Sequence, residues 1–165
     1  PGGKLPVTFY ESTKDLPDFL DYSMENRTYR YFRGVPQYAF GYGLSYTTFE
    51  VGKGKISKKS MKTDGSVKIT VPVENTGDRE GTETIQVYVK ALDYAEAPIK
   101  SLKGFQKINL KAGEKGKVEI VLDGESFQYY DPSIDELSTR TGRYQILYGT
   151  SSLEKDLKSI DFVVK

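Results

Sequence analysis

The sequence predicts an all-β fold: an antiparallel β-sandwich of about seven strands carrying an irregular N-terminal extension. Three observations predict it. Apolar and polar residues alternate with period two from Ser66 onward, and glycine- and aspartate-rich turns punctuate that alternation. No amphipathic helical pattern lies between the alternating segments, which disfavours a parallel α/β sheet.

In SVKITVPVEN, Val67, Ile69, Val71 and Val73 share one face opposite Lys68, Thr70, Pro72 and Glu74. Proline cannot donate a ladder hydrogen bond, so Pro72 points to an edge strand or a bulge. After the turn residues NTGDREG, the run TETIQVYVKA alternates again through Ile85, Val87 and Val89. SLKGFQKINL reads as a weaker strand pair or one bent strand. Beyond the turn at Lys111–Glu114, GKVEIVLDG directs Val118, Ile120 and Leu122 inward. GRYQILYG and SIDFVVK close the set, with Tyr144, Ile146 and Tyr148, then Ile160, Phe162 and Val164. Tyr144 lies early in its strand, where a tyrosine hydroxyl can close a corner hydrogen bond; ordinary core packing is the other reading.

The leading residues differ. Leu5, Val7 and Phe9 alternate as in one isolated strand. ESTKDLPDFLDYSMENRTYRYFRGVPQ then mixes acids, prolines and rings with no period, apart from a short strand at Thr28–Phe32. So long an irregular run is uncommon inside one compact domain. It reads as an arm that lies along another domain, with Phe9, Phe19, Tyr22, Tyr29, Tyr31 and Phe32 buried against that neighbour. Each such ring is worth roughly 1.5–3 kcal/mol when buried.

YAFGYGLSYTTFEV, residues 38–51, joins arm to sandwich. Gly41 and Gly43 allow a sharp turn or a close backbone approach. Phe40, Tyr42, Tyr46 and Phe49 would then dock on both sides of the bend; alternatively the segment is a strand entry with a glycine bulge, and its rings are core.

Composition removes whole classes of chemistry. The chain has neither cysteine nor histidine, so it cannot build a disulfide, a thiolate nucleophile or a Ser-His-Asp site by itself. With 24 basic and 23 acidic residues, no global field favours nucleic acid or an anionic membrane. The lysines at 53, 55, 58, 59 and 62 read as a solvated strand edge rather than a phosphate-binding patch, because no stacking rings are interleaved there. No apolar run is long enough to span a bilayer. The opening PGGKLPVTFYE lacks the features of a signal peptide and reads as the start of an excised fragment.

Five blocks then carry a resemblance: GKLPVTF (3–9), DYSMENRTYRYF (21–32), FGYGLSYTTFEV (40–51), VENTGDREGTETIQVYV (73–89) and LKGFQKINLKAGE (102–114). In this order they resemble the C-terminal end of family 3 glycoside hydrolases of β-xylosidase and β-glucosidase type, across nearly the whole chain. The DYSM…RTYRYF block is more similar to the β-xylosidase branch. Asn26, where glycine is usual, and Ala39, where proline is frequent, depart from the pattern. The resemblance implies an immunoglobulin/fibronectin type III-like sandwich over 48–165. It also implies that 1–47 holds the end of an upstream α/β domain and the tether leaving it. The docking residues it suggests are Tyr29, Tyr31, Phe32, Phe40, Gly41, Tyr42, Gly43, Tyr46 and Phe49.

Family enzymes are retaining glycosidases with two carboxylates about 5–5.5 Å apart. The resemblance places the nucleophile in an upstream barrel and the acid/base residue in the middle domain. No acidic residue here matches those motifs, so no catalytic residue is assigned, nor any cofactor or metal site. Asp131, Asp135 and Glu136 in YYDPSIDE do not follow calcium-loop spacing and read as a loop between strands. Asp15, Asp18, Asp21 and Glu25 read as solvated. Asn26-Arg27-Thr28 matches the short N-glycosylation pattern. Arg30, between two tyrosines, is a cation–π candidate or a solvent-facing arginine.

The expected role is therefore a non-catalytic accessory domain. Its partners would be the catalytic domains of the same polypeptide, and a β-linked oligosaccharide only in the intact enzyme. The resemblance suggests a periplasmic or secreted setting, and the exposed arm suggests self-association when isolated. The alternatives are an autonomous carbohydrate-binding module or a cell-surface adhesion module. Thirteen tyrosines could furnish a stacking platform, but tryptophan, the strongest ring for that work, is absent.

Overall fold

The computed structural model describes residues 1–165. The arm comes first. It contains β1 (Phe9–Tyr10), a 3-10 turn at Thr13–Asp15, a one-turn helix α1 (Thr28–Tyr31) and β2 (Pro36–Tyr38). β1 and β2 pair antiparallel, so the arm is a ribbon doubled on itself. Thr28–Phe32, expected as a short strand, forms α1 instead. Asn26 and Thr28 have φ of 54° and 53°, and this left-handed entry turns the chain out of any strand line.

The sandwich begins with three short strands, β3 (Phe49–Val51), β4 (Lys55–Ile56) and β5 (Ser60–Met61). Four long ones follow: β6 (Ser66–Asn75), β7 (Gly81–Ala91), β8 (Ser101–Leu110) and β9 (Lys115–Asp123). A hairpin of β10 (Tyr129–Asp131) and β11 (Glu136–Ser138) precedes β12 (Gly142–Gly149) and β13 (Leu157–Val164). One sheet runs β5-β13-β12-β7-β8; the other has β6 at its centre, with β9 on one side and β3 and β4 on the other.

Period two decides the core. Val67, Ile69, Val71 and Val73 of β6 meet Ile85, Val87 and Val89 of β7, with Val118, Ile120 and Leu122 of β9 beside them. Tyr144, Ile146, Tyr148, Phe162 and Val164 complete the cluster, while Ile160 is only partly buried against it. The exposed partners of these residues on β6 and β9 are mostly charged, and Lys68 bridges to Glu119 at 3.2 Å.

Pro72 does not mark an edge: β6 is interior to its sheet. The Pro72 carbonyl accepts from the Gly52 amide at 2.9 Å. A strand residue aims its N–H and C=O to the same side, so the missing donor faces the gap between β3 and β4, where no ladder partner is lost. SLKGFQKINL is one strand. Val87 pairs with Gly104 and Tyr88 with Leu102, leaving Lys103 as the extra residue of a bulge. YYDPSIDE, read as a loop, supplies β10, the turn and the first residue of β11 in the β10–β11 hairpin. Its turn is held by Asp131, whose Oδ1 accepts from the Ser133 amide at 2.9 Å and hydroxyl at 2.6 Å.

Tyr144 satisfies both of its readings. The ring is fully buried, edge-on to Phe127, and the hydroxyl donates to the Arg140 carbonyl at 2.7 Å. Asn75 is the other anchoring polar group. Its amide nitrogen donates to the carbonyls of Arg79 (2.8 Å) and Leu110 (3.0 Å), and its Oδ1 accepts from Thr47 (2.7 Å) and from the Gly77 amide (3.1 Å). The VENTG turn is thereby bound to the SYTTF segment that enters the sandwich. A buried amide with all its valences met rigidifies what it joins.

Candidate functional site

The outer face of β7 marks the place where the chain builds a surface for more than its own core. Thr84, Gln86 and Tyr88 alternate with the core residues and should face water, yet all three are buried, Tyr88 completely. The arm covers them.

Three contacts fix the arm there. At its start, Lys4 Nζ lies 2.7 Å from Glu83 Oε1, and Leu5 exchanges backbone bonds of 2.8 Å with Gly41 and Tyr42. At α1, the Tyr29 ring stacks on Phe40 with centroids 4.2 Å apart and meets Tyr88 edge-on at 5.9 Å. The Tyr29 hydroxyl accepts from the Leu102 amide at 2.9 Å, and the Arg30 carbonyl accepts from the Ile99 amide at 2.8 Å. At the bend, Gln86 Nε2 donates to the carbonyls of Gly41 (3.0 Å) and Thr150 (2.7 Å), while Tyr88 donates to Gln86 Oε1 at 2.5 Å. Burial, with a smaller effect of Tyr29, pushes the Tyr88 phenol well above the ordinary tyrosine range, so it keeps the proton it donates to Gln86.

Both glycines of YAFGYG are required, for different reasons. Gly41 has φ +78°, and a Cβ there would stand 2.0 Å from Gln86 Oε1. A Cβ on Gly43 would stand 2.3 Å from the Gly3 carbonyl, so this is a backbone-on-backbone approach.

The candidate docking residues do not share one place. Tyr29, Phe40 and Gly41 face the chain's own sheet. Tyr42 is half-buried and tilts against Tyr38 at 5.4 Å, and Phe32 meets Tyr10 edge-on at 4.8 Å within the arm. Tyr31 is half-buried on α1. Phe49, expected among the docking rings, packs against the sandwich core instead, because β3 pairs it with Asn75. Tyr46 alone of the set is largely exposed. Phe19 (91% exposed), Leu20, Tyr22 (88%), Val35 and Leu44 also turn outward. The arm is therefore docked on the sandwich through some of its rings and leaves others exposed.

Gln86 and Tyr88 were not singled out in the sequence. The trace they leave is a polar amide and a ring on the parity opposite Ile85, Val87 and Val89, an odd choice for a solvent face. Arg30 is exposed and on a helix; the cation–π pair is Arg140 over Tyr94, 4.0 Å from the ring centroid. Arg140 also reaches Asp131 Oδ2 at 3.1 Å, so the most buried carboxylate of YYDPSIDE is occupied by Arg140 and Ser133. Tyr130 donates to Asp135 in the same hairpin.

A two-sheet sandwich of this topology, entered through a glycine bend and an Asn75-anchored turn, is a fibronectin type III-like domain; residues 83–152 match the family model described as the fibronectin type III-like domain. With its arm, the chain matches the C-terminal region of family 3 β-xylosidases and β-glucosidases over nearly its whole length. It is 49% identical to a xylan 1,4-β-xylosidase of Xylanibacter ruminicola over 97% of this chain and 18% of that protein. It is 36% identical to a periplasmic β-glucosidase of Salmonella typhimurium over 92% of this chain and 21% of that protein. The crystal structure of a Bifidobacterium adolescentis GH3 β-glucosidase superposes with a TM-score of 0.85 at 30% identity, over 99% of this chain and 26% of that one. The chain thus spans about a fifth of the length of the curated relatives it matches.

Proposed function

We propose that this chain is the non-catalytic C-terminal accessory domain of a retaining β-glycosidase, of β-xylosidase or β-glucosidase type, acting on oligosaccharides from plant polysaccharides. Its task is to hold the catalytic domains that precede the arm and to shape the rim of their cleft. The observation that carries this reading is the number of large apolar side chains the arm leaves exposed, Phe19, Leu20, Tyr22, Leu44 and Tyr46, although other residues of the same arm are docked on the sandwich. Large apolar side chains gathered in one exposed segment point to an interaction site. The relatives are several times longer and bear the names of glycosidases, which supplies the partner.

On this reading residues 1–47 are the tether and the end of the upstream domain, and 48–165 the sandwich. The two carboxylates that cleave the glycosidic bond lie upstream. The setting we favour is periplasmic or extracellular, supported by the Salmonella typhimurium relative, which is named periplasmic.

The test compares three proteins: the intact enzyme, the enzyme lacking residues 1–165, and this chain alone. The intact enzyme should hydrolyse aryl β-xyloside or β-glucoside, the truncated one should lose stability and activity, and the isolated chain should release no phenol. Titratable hydrolysis by the isolated chain would overturn the reading. So would saturable binding of xylan or β-glucan by the isolated chain, together with an unimpaired truncated enzyme; that result would make it an autonomous binding module.

A further inference from the structure

β8 is an outermost strand of the five-stranded sheet, so one of its edges has no strand beside it. Such an edge offers unpaired backbone groups to another chain, and folded proteins cover or interrupt it. Here the arm does the covering. The Tyr29 hydroxyl accepts from the Leu102 amide at 2.9 Å, and the Arg30 carbonyl accepts from the Ile99 amide at 2.8 Å, just ahead of the strand. α1 therefore closes the start of the edge.

Alternation along the strands shows what it leaves open. Leu92, which continues β7, donates to Arg143 of β12 at 2.9 Å, so even-numbered residues of β7 serve β12 and odd-numbered ones serve β8. Val87, Ile85 and Glu83 pair with Gly104, Gln106 and Ile108, which turn their N–H and C=O groups toward β7. Phe105, Lys107 and Asn109 turn theirs to the free edge, and Phe105 is 63% exposed. The neighbouring edge, β9 of the facing sheet, is interrupted: Gln106 Oε1 accepts from the Glu119 amide and the Ser126 hydroxyl from the Asp123 amide, each at 3.2 Å. Between α1 and the open residues of β8 stands the Lys103 bulge, whose Nζ donates to the Gln128 carbonyl at 3.0 Å. With α1 in place the open stretch is Phe105–Asn109, three outward residues.

We propose that α1 guards this edge, and that when the guard lifts β8 adds the β8 edge of a second copy of the chain. The sequence of the edge suits such self-pairing. Antiparallel alignment with Phe105 against Lys107 of the second copy opposes no two lysines and sets a ring beside an ammonium twice, once on each side of the two-fold axis. Sliding by two residues sets Lys107 against Lys107 or against Lys103, so one register is favoured. The inference does not depend on the accessory-domain reading.

The experiment is sedimentation of a chain in which Phe19, Tyr22 and Tyr46 are already serine, so that the exposed rings of the arm do not mask the result. In this background Tyr29→Ala removes the ring stacked on Phe40 together with the hydroxyl at Leu102, and the dimer fraction should rise several-fold. Tyr29→Phe keeps the ring over the edge and should associate no more than the background. Adding Lys107→Pro to Tyr29→Ala removes an outward donor that the native sheet does not use, and should return the chain to monomer. Phe105→Lys, at an exposed site, should do the same by setting two lysines against each other. A Tyr29→Ala chain that stays monomeric while amide exchange at Ile99 and Leu102 quickens overturns the proposal, since the edge is then open and nothing adds to it. Unchanged exchange at those two amides overturns it too, because α1 would not be what closes them. Association that survives both Lys107→Pro and Phe105→Lys lies elsewhere on the surface and is equally fatal.

Discussion

Gln86 grips Gly41 with both ends of its amide: Nε2 donates to the Gly41 carbonyl at 3.0 Å, and Oε1 occupies the space a Cβ on Gly41 would need. The contact joins the arm to the middle of the β7 outer face. It works because residue 41 is glycine at positive φ and because Tyr88 orients the amide from behind.

Gly41→Ala should therefore cost the chain roughly 2 kcal/mol or more, since it combines backbone strain with the loss of a buried hydrogen bond. Urea unfolding gives the magnitude. Amide exchange should show faster opening at Leu5, Gly41 and Tyr42, whose backbone bonds depend on the bend. A variant as stable as the parent chain, with those amides still protected, would mean that the arm is held elsewhere.

The strands from β6 onward were legible because burial on one face imposes period two, and a one-residue slip would expose every valine. The β10–β11 hairpin was not. Its strands are too short to show a period, and Asp131, Ser133 and Arg140 organise it through polar bonds that no spacing announces. The arm was legible only as an irregular ribbon. Its folding back depends on Tyr29, Phe40 and Gly41 meeting Gln86 and Tyr88, residues far apart in the chain whose periods say nothing of one another. Asn26 is instructive for the opposite reason. Its departure from the glycine usual at that place is small in backbone terms, since it holds φ of 54°, and asparagine is among the few side chains that enter the left-handed region readily.

Tyr144→Phe keeps the ring in the core and removes only the hydroxyl that donates to the Arg140 carbonyl. The expected loss is about 1 kcal/mol, the net worth of one such hydrogen bond, with the midpoint of urea unfolding shifted and its slope unchanged. Tyr144→Leu, which also loses the edge contact with Phe127, should cost more. Equal effects from the two substitutions would place the whole contribution in the hydroxyl.

High pH should unfold the chain through its buried phenols. Burial is the leading cause that raises the Tyr88, Tyr129 and Tyr144 hydroxyls, Tyr129 to about 12. An unfolded tyrosine titrates near 10, so below about pH 10 both states keep the proton and these residues contribute their full stability. Above it the unfolded chain sheds protons that the folded chain retains, and stability falls with rising pH. Tyrosinate absorbance should show exposed phenols titrating first and these three only as the circular dichroism of the sheet collapses. A smooth titration of all thirteen tyrosines before any loss of structure would contradict this.

The outward side of the arm gives the sharpest contrast between the chain alone and the chain in its enzyme. Phe19, Leu20, Tyr22 and Tyr46 are exposed and make no part of the core, so replacing Phe19, Tyr22 and Tyr46 together by serine should move the isolated chain's stability by no more than about 0.5 kcal/mol per site. The same change should reduce concentration-dependent association of the isolated chain, seen by sedimentation, because exposed rings are what one copy offers another. In the intact enzyme it should lower the melting temperature and hasten proteolysis of the arm, since those rings would be covered there by the catalytic domains, each worth roughly 1.5–3 kcal/mol when buried. The decisive comparison is the ratio of the two effects. If the triple variant leaves the intact enzyme as untouched as the isolated chain, these rings face water in both, and the arm is an ornament of the sandwich rather than its link to the body that performs the hydrolysis.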